Sequence, residues 1–156
     1  MSPQSQTARG HEEPFAIQFS LFLANRVGQL KDVLDVLNEK NLEVLGLSII
    51  DSADWAVIRM VLSNASKGRV VLQEHHLPFT ESAVLLAAMP QNNSLEQICG
   101  LLLAAEINVH FAYPLTIRHK DWPVMALHVD DTVLATQTLT QHGFELLGQE
   151  DLLDRL

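Results

Sequence analysis

The sequence predicts an α+β fold of two tandem β-α-β-β-α-β units, each an antiparallel sheet with both helices on one face. Three observations lead there. Apolar residues alternate at strand period over Phe15, Ile17, Phe19, Leu21 and Leu23, then switch to helical spacing over Leu30, Val33, Leu34 and Leu37. A hairpin pattern, a second helix and a further strand follow. The whole order then recurs: a shift of 65 places sets Gly28 on Asn93, Leu30 on Leu95, Leu37 on Leu102 and Leu42 on Ile107, and a turn two residues longer sets Trp55 on Trp122. Such self-similarity marks a tandem duplication.

The elements follow in order. Residues 1–14 are polar and without periodicity, and are expected to form a disordered N-terminal tail. The first unit is expected over residues 15–81. Its first helix ends at Asn41, a residue that tolerates left-handed backbone. Leu42 to Ile50 and Trp55 to Leu62 read as paired strands around the turn Asp51-Ser52-Ala53-Asp54. Asn64 and Ser66 are cap-like residues ahead of Val70, Val71 and Leu72, so a shorter helix is expected over Asn64 to His76, with a strand beginning near Leu77.

The second unit is expected over residues 82–156. It opens on a strand from Ala83 to Met89 and breaks at Pro90-Gln91-Asn92-Asn93. A helix then turns Leu95, Ile98, Cys99 and Leu102 inward, with Ser94 and Gln97 spaced as a capping box. Strands Ile107 to Ile117 and Trp122 to Val129 flank Arg118-His119-Lys120-Asp121. A helix from Thr132 to His142, capped by Asp131 and closed by Gly143, precedes a last strand from Phe144 to Leu147.

Both faces of the strands Leu42 to Ile50 and Trp55 to Leu62 are apolar, yet helices on one side of a sheet cover only half of them. The other face needs a cover, which the second unit's sheet, a second chain or an enzyme subunit would provide. A symmetric homodimer is the expected assembly.

Composition excludes several functions. The 156 residues carry a formal charge of −9, which repels phosphate backbones, so nucleic acid is not an expected partner. The longest apolar run, Ala83 to Met89, is far short of the ~20 residues that cross a bilayer, so no membrane partner is expected either. The lone Cys99 can form neither an internal disulfide nor a thiolate cluster, which suits a reducing, cytoplasmic location; its place beside Ile98 on an apolar helix face predicts burial. Among seven His residues no two have the spacing of a zinc helix, and no metal or cofactor is expected. His110 and His128 fall on paired strands and can meet across them. Asp51 with Asp54, and Asp130 with Asp131, are explained by a hairpin turn and a helix start. With no phosphate-binding glycine run, nucleophile elbow or dinucleotide fingerprint, catalysis is not expected.

A unit of this order and length is the ferredoxin-like arrangement, which serves many unrelated functions. The segment Leu21-Phe22-Leu23-Ala24-Asn25-Arg26-Val27-Gly28-Gln29-Leu30 narrows the field, because it resembles the first strand, glycine turn and helix start of an ACT domain. Over Ala16 to Leu147 the chain is similar to the stand-alone tandem ACT proteins, which carry two such units and no catalytic domain. The resemblance implies a regulatory module that binds an amino acid.

The residues of that turn suit such a ligand on chemical grounds. A helix start presents unpaired N–H groups and the positive end of a dipole, and Gly28 leaves the approach to them clear. Asn25 offers an amide, Arg26 a cation, and Val27 and Leu30 an apolar border, with Gln29 between them. In the second unit Asn93 replaces the glycine, so any site there depends on the amides of Gln91, Asn92 and Asn93 beside Ser94. The expectation is therefore an amino-acid-sensing regulatory protein. The alternative is a regulatory subunit acting by contact with a biosynthetic enzyme such as acetolactate synthase, whose small subunit carries this kind of module.

Overall fold

The computed structural model describes residues 15–24 and 27–153. The first unit runs β1 (Ala16–Ala24), α1 (Gln29–Glu39), β2 (Val44–Asp51), β3 (Trp55–Leu62), α2 (Ala65–Glu74) and β4 (Phe79–Ala88). The second continues with α3 (Ser94–Ala104), β5 (Val109–His119), β6 (Trp122–Val129), α4 (Thr132–Gln141), β7 (Leu146–Leu147) and α5 (Gln149–Leu153). The repeat is visible in the coordinates as well as in the sequence. Helices α1 and α3 have equal lengths, as do strands β3 and β6, at the predicted offsets. Left-handed residues close α1 at Asn41 and α3 at its equivalent Glu106, then α2 at His76 and α4 at Gly143.

Two strands expected as separate are one. The strand beginning near Leu77 and the strand Ala83 to Met89 merge into β4, whose first half pairs antiparallel with β1 (Ala16 with Val84, Leu21 with Phe79). Its second half pairs with β6 (Leu85 with Leu127, Ala88 with Val124). No turn residue separates Phe79 from Ala88, so a single extended segment finishes one unit and starts the next.

That sharing closes the sheet. Strands follow the order β1-β3-β2-β5-β6-β4-β7, and β4 returns to β1, so the two expected open sheets become one barrel-like ring. The seam opposite β4 is narrow: β2 meets β5 at Gly46 and Leu115, and Thr116 donates its hydroxyl to the Leu45 carbonyl at 3.1 Å. A Cβ at Gly46 would run into the Leu115 side chain and come within 3.1 Å of Tyr113, so glycine lets the backbones approach here.

Three cores result. The helices of the first unit cover Phe19, Leu21, Val33, Leu37, Ile58 and Met60, and those of the second cover Leu85, Ile98, Leu102, Leu127 and Leu139. Between the inner sheet faces lie Ala16, Leu45, Val61, Val84, Leu115, Ile117 and Ala126, closed at one end by Leu152 of α5. The face that needed a cover is thus largely covered by the other unit's sheet.

Helix α5 was not expected, and the last strand before it starts two residues later than expected, at Leu146–Leu147. Gln149 docks it: its backbone N–H donates to the Phe15 carbonyl, its side-chain oxygen accepts from the Ile17 N–H at 2.9 Å, and its amide donates to the Leu62 carbonyl. Two further expectations are corrected on α3. Its cap is Asn93 rather than Ser94, and the Ser94 hydroxyl accepts from the Gln91 N–H behind it, so the Ser94–Gln97 capping box does not form. Cys99 is exposed, because the buried stripe of α3 is Ser94, Ile98 and Leu102 and leaves Leu95, Cys99 and Leu103 on the outer side.

Candidate functional site

The four principal helices start in two different ways. Asn64 caps α2 by accepting from the Lys67 N–H at 3.0 Å, and Asp131 caps α4 by accepting from the Leu134 N–H at 2.9 Å. The first helix of each unit has no side-chain cap: Gly28 precedes α1 and Asn93 precedes α3. The absence falls at equivalent positions, 65 residues apart.

At α1, Gly28 has φ 85° and ψ −7°, and its carbonyl accepts from the Asp32 N–H at 3.0 Å. This left-handed geometry favours glycine, and nothing lies within 4 Å of the place a Cβ would take. The space in front of the helix start is open. Among the described residues, no acceptor meets the first-turn N–H groups of Gln29, Leu30 and Lys31. The Gln29 side-chain oxygen is buried without a hydrogen-bond partner, a costly state that a ligand donor would relieve. Leu30 packs partly against the first unit's core. Val27 is fully exposed. Asn25 and Arg26 lie outside the described residues.

At α3 the geometry differs. Asn93 has φ −100° and ψ 13°, so the position aligned with Gly28 does not take the left-handed turn. Gln91, Asn92 and Asn93 are exposed, while Ser94 is buried and tied to Gln91 in both directions, its N–H donating to the Gln91 carbonyl at 3.1 Å. One first-turn N–H is therefore already used. An acidic residue stands in the first turn of each uncapped helix, Asp32 in α1 and Glu96 in α3.

The two turns do not meet within one chain. Because β1 and β4 are antiparallel, Ala24 leads to α1 at one end of the pair, and Ala88 leads to α3 at the other. Each turn is a separate place.

Other predicted residues have structural roles. The Asn108 N–H donates to Asp130, and Asp131 is a cap. His110 and His128 do approach, at 5.5 Å between ring centroids, on either side of a bulge that leaves His110 without a cross-strand partner. Among the described residues no three His, Cys, Asp or Glu side chains gather as a metal would require.

Sequence reasoning missed one polar group inside the barrel. Tyr113 and Gln18 are almost fully buried and hydrogen-bonded to each other, and Gln18 reaches on to Ser82. Burial pushes the Tyr113 phenol far above its ordinary range, and the neighbouring Arg59 opposes this only in part, so the hydroxyl stays protonated. The signal in the sequence was the glutamine, with Ser20 after it, on one face of a strand whose other face is apolar.

Comparison with known proteins bears on this arrangement. A sequence model of the ACT domain pair matches residues 15–155. Among proteins of curated function none matches the sequence. The fold is similar to that of a protein from Bacteroides thetaiotaomicron, with TM-score 0.81 and 22% identity over 90% of this chain and 97% of the other. It is also similar to the ligand-free regulatory subunit of aspartate kinase from Thermus thermophilus, with TM-score 0.58 and 9% identity over 83% and 93% of the two chains. The aspartokinase alpha and beta subunits give TM-score 0.53 and 16% identity over the same shares. At these identities the likeness is one of fold.

Proposed function

This chain belongs to the ACT domain pair family, and from that premise we propose that it senses a free amino acid at the start of α1 and has no catalytic activity of its own. The observation that carries the reading is the uncapped, left-handed start at Gly28, absent from α2 and α4. A ligand carboxylate accepts from the open N–H groups of the first turn, where the helix dipole adds attraction. The α-ammonium finds negative charge at Asp32 and an acceptor in the buried Gln29 oxygen. Leu30 borders the ligand, and an aliphatic side chain suits it best. Regulation follows if the ligand binds one packing of the units better than another.

A thermal-shift series over the common amino acids tests this. A ligand at about one hundred times its dissociation constant stabilises the native state by roughly 2.7 kcal/mol. In a chain of this size that raises the midpoint by on the order of 5 to 11 °C. Gly28→Asn keeps a residue tolerant of left-handed backbone but places a side chain over the donors, and is expected to abolish the shift. No shift with any amino acid at millimolar concentration would overturn the reading.

A second reading rests on a different observation. Leu95, Cys99 and Leu103 make an exposed stripe along the outside of α3, with Leu103 77% accessible. A larger catalytic chain of amino-acid metabolism docking on that stripe would make this protein a regulatory subunit, as the aspartate kinase protein of similar fold is described to be. Co-purification unaffected by Gly28→Asn but lost with Leu103→Asp would favour it.

A further inference from the structure

The mouth of the barrel, at the end away from α5, holds an unneutralised cationic and aromatic cluster. The Arg59 guanidinium carbon sits 3.6 Å from the centre of the Phe111 ring. His128 stacks on Phe111 with centroids 4.7 Å apart and planes within 8°. His110 adds a third ring beside His128. The groups come from both units, Arg59 from β3 and the rest from β5 and β6.

Among the described residues no carboxylate pairs with Arg59, and Asp130, just past the His128 end of β6, accepts from the Asn108 N–H. Arg69 is paired with Glu81, and Arg118 donates to the Asp121 carbonyl, but Arg59 has no acceptor among the described residues. Strands β1, β3, β5 and β6 contain no Asp or Glu at all. On the flanking strands, Glu81 is opposite Phe19 and Asp51 opposite Ala56, which places both on the helix-covered face. A guanidinium stacked on a ring keeps its N–H edge free for a planar anion. In a chain of net charge −9, leaving it without a carboxylate is a notable choice.

The surroundings extend the chemistry. Ser20 and Ser48 are the cross-strand neighbours of Arg59 on the same face, and the His128 Nδ1 is buried without a hydrogen bond. Two residues along, about 7 Å at the rise of a strand, Phe22, Val57 and Ile50 form a cross-strand apolar row, with Trp55 beyond it. Phe22, Ile50 and Trp55 are exposed, Trp55 to 60%.

We propose that this mouth binds an apolar 2-oxo acid, with its carboxylate on Arg59, its keto oxygen toward Ser48 and His128, and its apolar body along Phe22, Val57 and Ile50. An amino acid is discriminated against, because its ammonium would meet the Arg59 guanidinium without a carboxylate paired to it. The ligand is thus the deaminated counterpart of the class proposed for α1, and the two sites are independent.

The test is a titration of Trp55 fluorescence with 4-methyl-2-oxopentanoate and, in parallel, with leucine. Saturable quenching by the oxo acid is expected, with leucine binding here about tenfold more weakly or worse, and Arg59→Gln should weaken the oxo acid by about tenfold or more, the scale of a charge-assisted contact. Gly28→Asn should leave it unchanged. Equal binding of leucine at this face, indifference to Arg59→Gln, or loss with Gly28→Asn would each overturn the proposal, the last by moving the carboxylate to α1. If Arg59→Gln loses cooperative unfolding, Ile50→Asp, at an exposed position, replaces it and is expected to repel the ligand. A dimer that Ile50→Asp dissociates, with no quenching by the oxo acid, would give the face to a second copy instead. A failure of amino acids to shift the thermal midpoint touches the α1 reading alone.

Discussion

Tyr113 donates its hydroxyl proton to the Gln18 side-chain oxygen at 2.7 Å, joining residues 95 positions apart across the inside of the barrel. The Gln18 amide then donates to Ser82 at 3.3 Å and lies 3.4 Å from Ser20. Strand β5 of one unit is in this way linked to β1 and β4. The bond is directional, whereas the apolar contacts around it are not, so it helps to select one register among several similar packings.

Removing half of this pair should cost more than removing all of it. Tyr113→Phe leaves the Gln18 oxygen buried and unpaired, a loss of about 1–3 kcal/mol. Gln18→Leu combined with Tyr113→Phe should cost less than the sum of the single changes, because both polar partners are gone. Chemical denaturation of the three variants measures this. Strict additivity would mean that the two groups do not depend on one another.

The seam at Gly46 gives a second expectation. Gly46→Val should destabilise by roughly 1–3 kcal/mol through overpacking against Leu115 and Tyr113. Adding Leu115→Ala should recover part of that loss, since the new methyl groups occupy the space the leucine leaves. No recovery in the double variant would show that backbone conformation, rather than space, requires the glycine.

These two sites show where the sequence could be read and where it could not. Trp55–Leu62 and Trp122–Val129 were legible to the residue, because a turn and a cap bracket each and the run between is largely apolar. Asn64, Asp131 and Gly143 were legible for the same local reason. Ring closure was not, because it depends on Phe79 to Ala88 staying extended without a turn, and the run from Leu77 to Met89 looks the same whether one strand or two are intended. Gln149 was invisible in another way: its partners are backbone groups of residues 15, 17 and 62, which no periodicity reports. Of the candidate site, Gly28 was legible through its chemistry, whereas the Arg59–Phe111 contact joins two units and leaves no local pattern.

Acid should weaken the fold partly through Glu145. The hydrogen bond from Lys120 at 2.7 Å, and then that from His119 at 2.6 Å, hold its carboxyl below the ordinary value of 4.5. A carboxylate lowered in the folded state contributes stability that is fully present above the unfolded value and is lost as pH falls through the folded one. Midpoints measured from neutral pH downwards should therefore decline below pH 4.5 more steeply in the wild type than in Glu145→Gln. Parallel declines would show that the pair contributes nothing beyond surface screening.

The last expectation concerns the unit of folding. In a simple tandem array, a cut between repeats frees two domains, but here residues 81 and 82 lie inside β4, whose first half pairs with β1 and second half with β6. A fragment of Ala83 to Leu156 would leave Ala83 and Val84 without their β1 partners and would lose the acceptors and donors that Gln149 uses on Phe15, Ile17 and Leu62. It would also expose Val84, Leu86, Tyr113, Leu115 and Ala126, which face the first unit's sheet in the central core. A fragment this small buries too little surface to offset such losses. Met1 to Ser82 and Ala83 to Leu156, prepared separately, should each lack dispersed amide spectra, and mixing them should restore the dispersion and a single cooperative transition. A monomeric second fragment that unfolds cooperatively by itself would show that β4 is shared in geometry but not in energy.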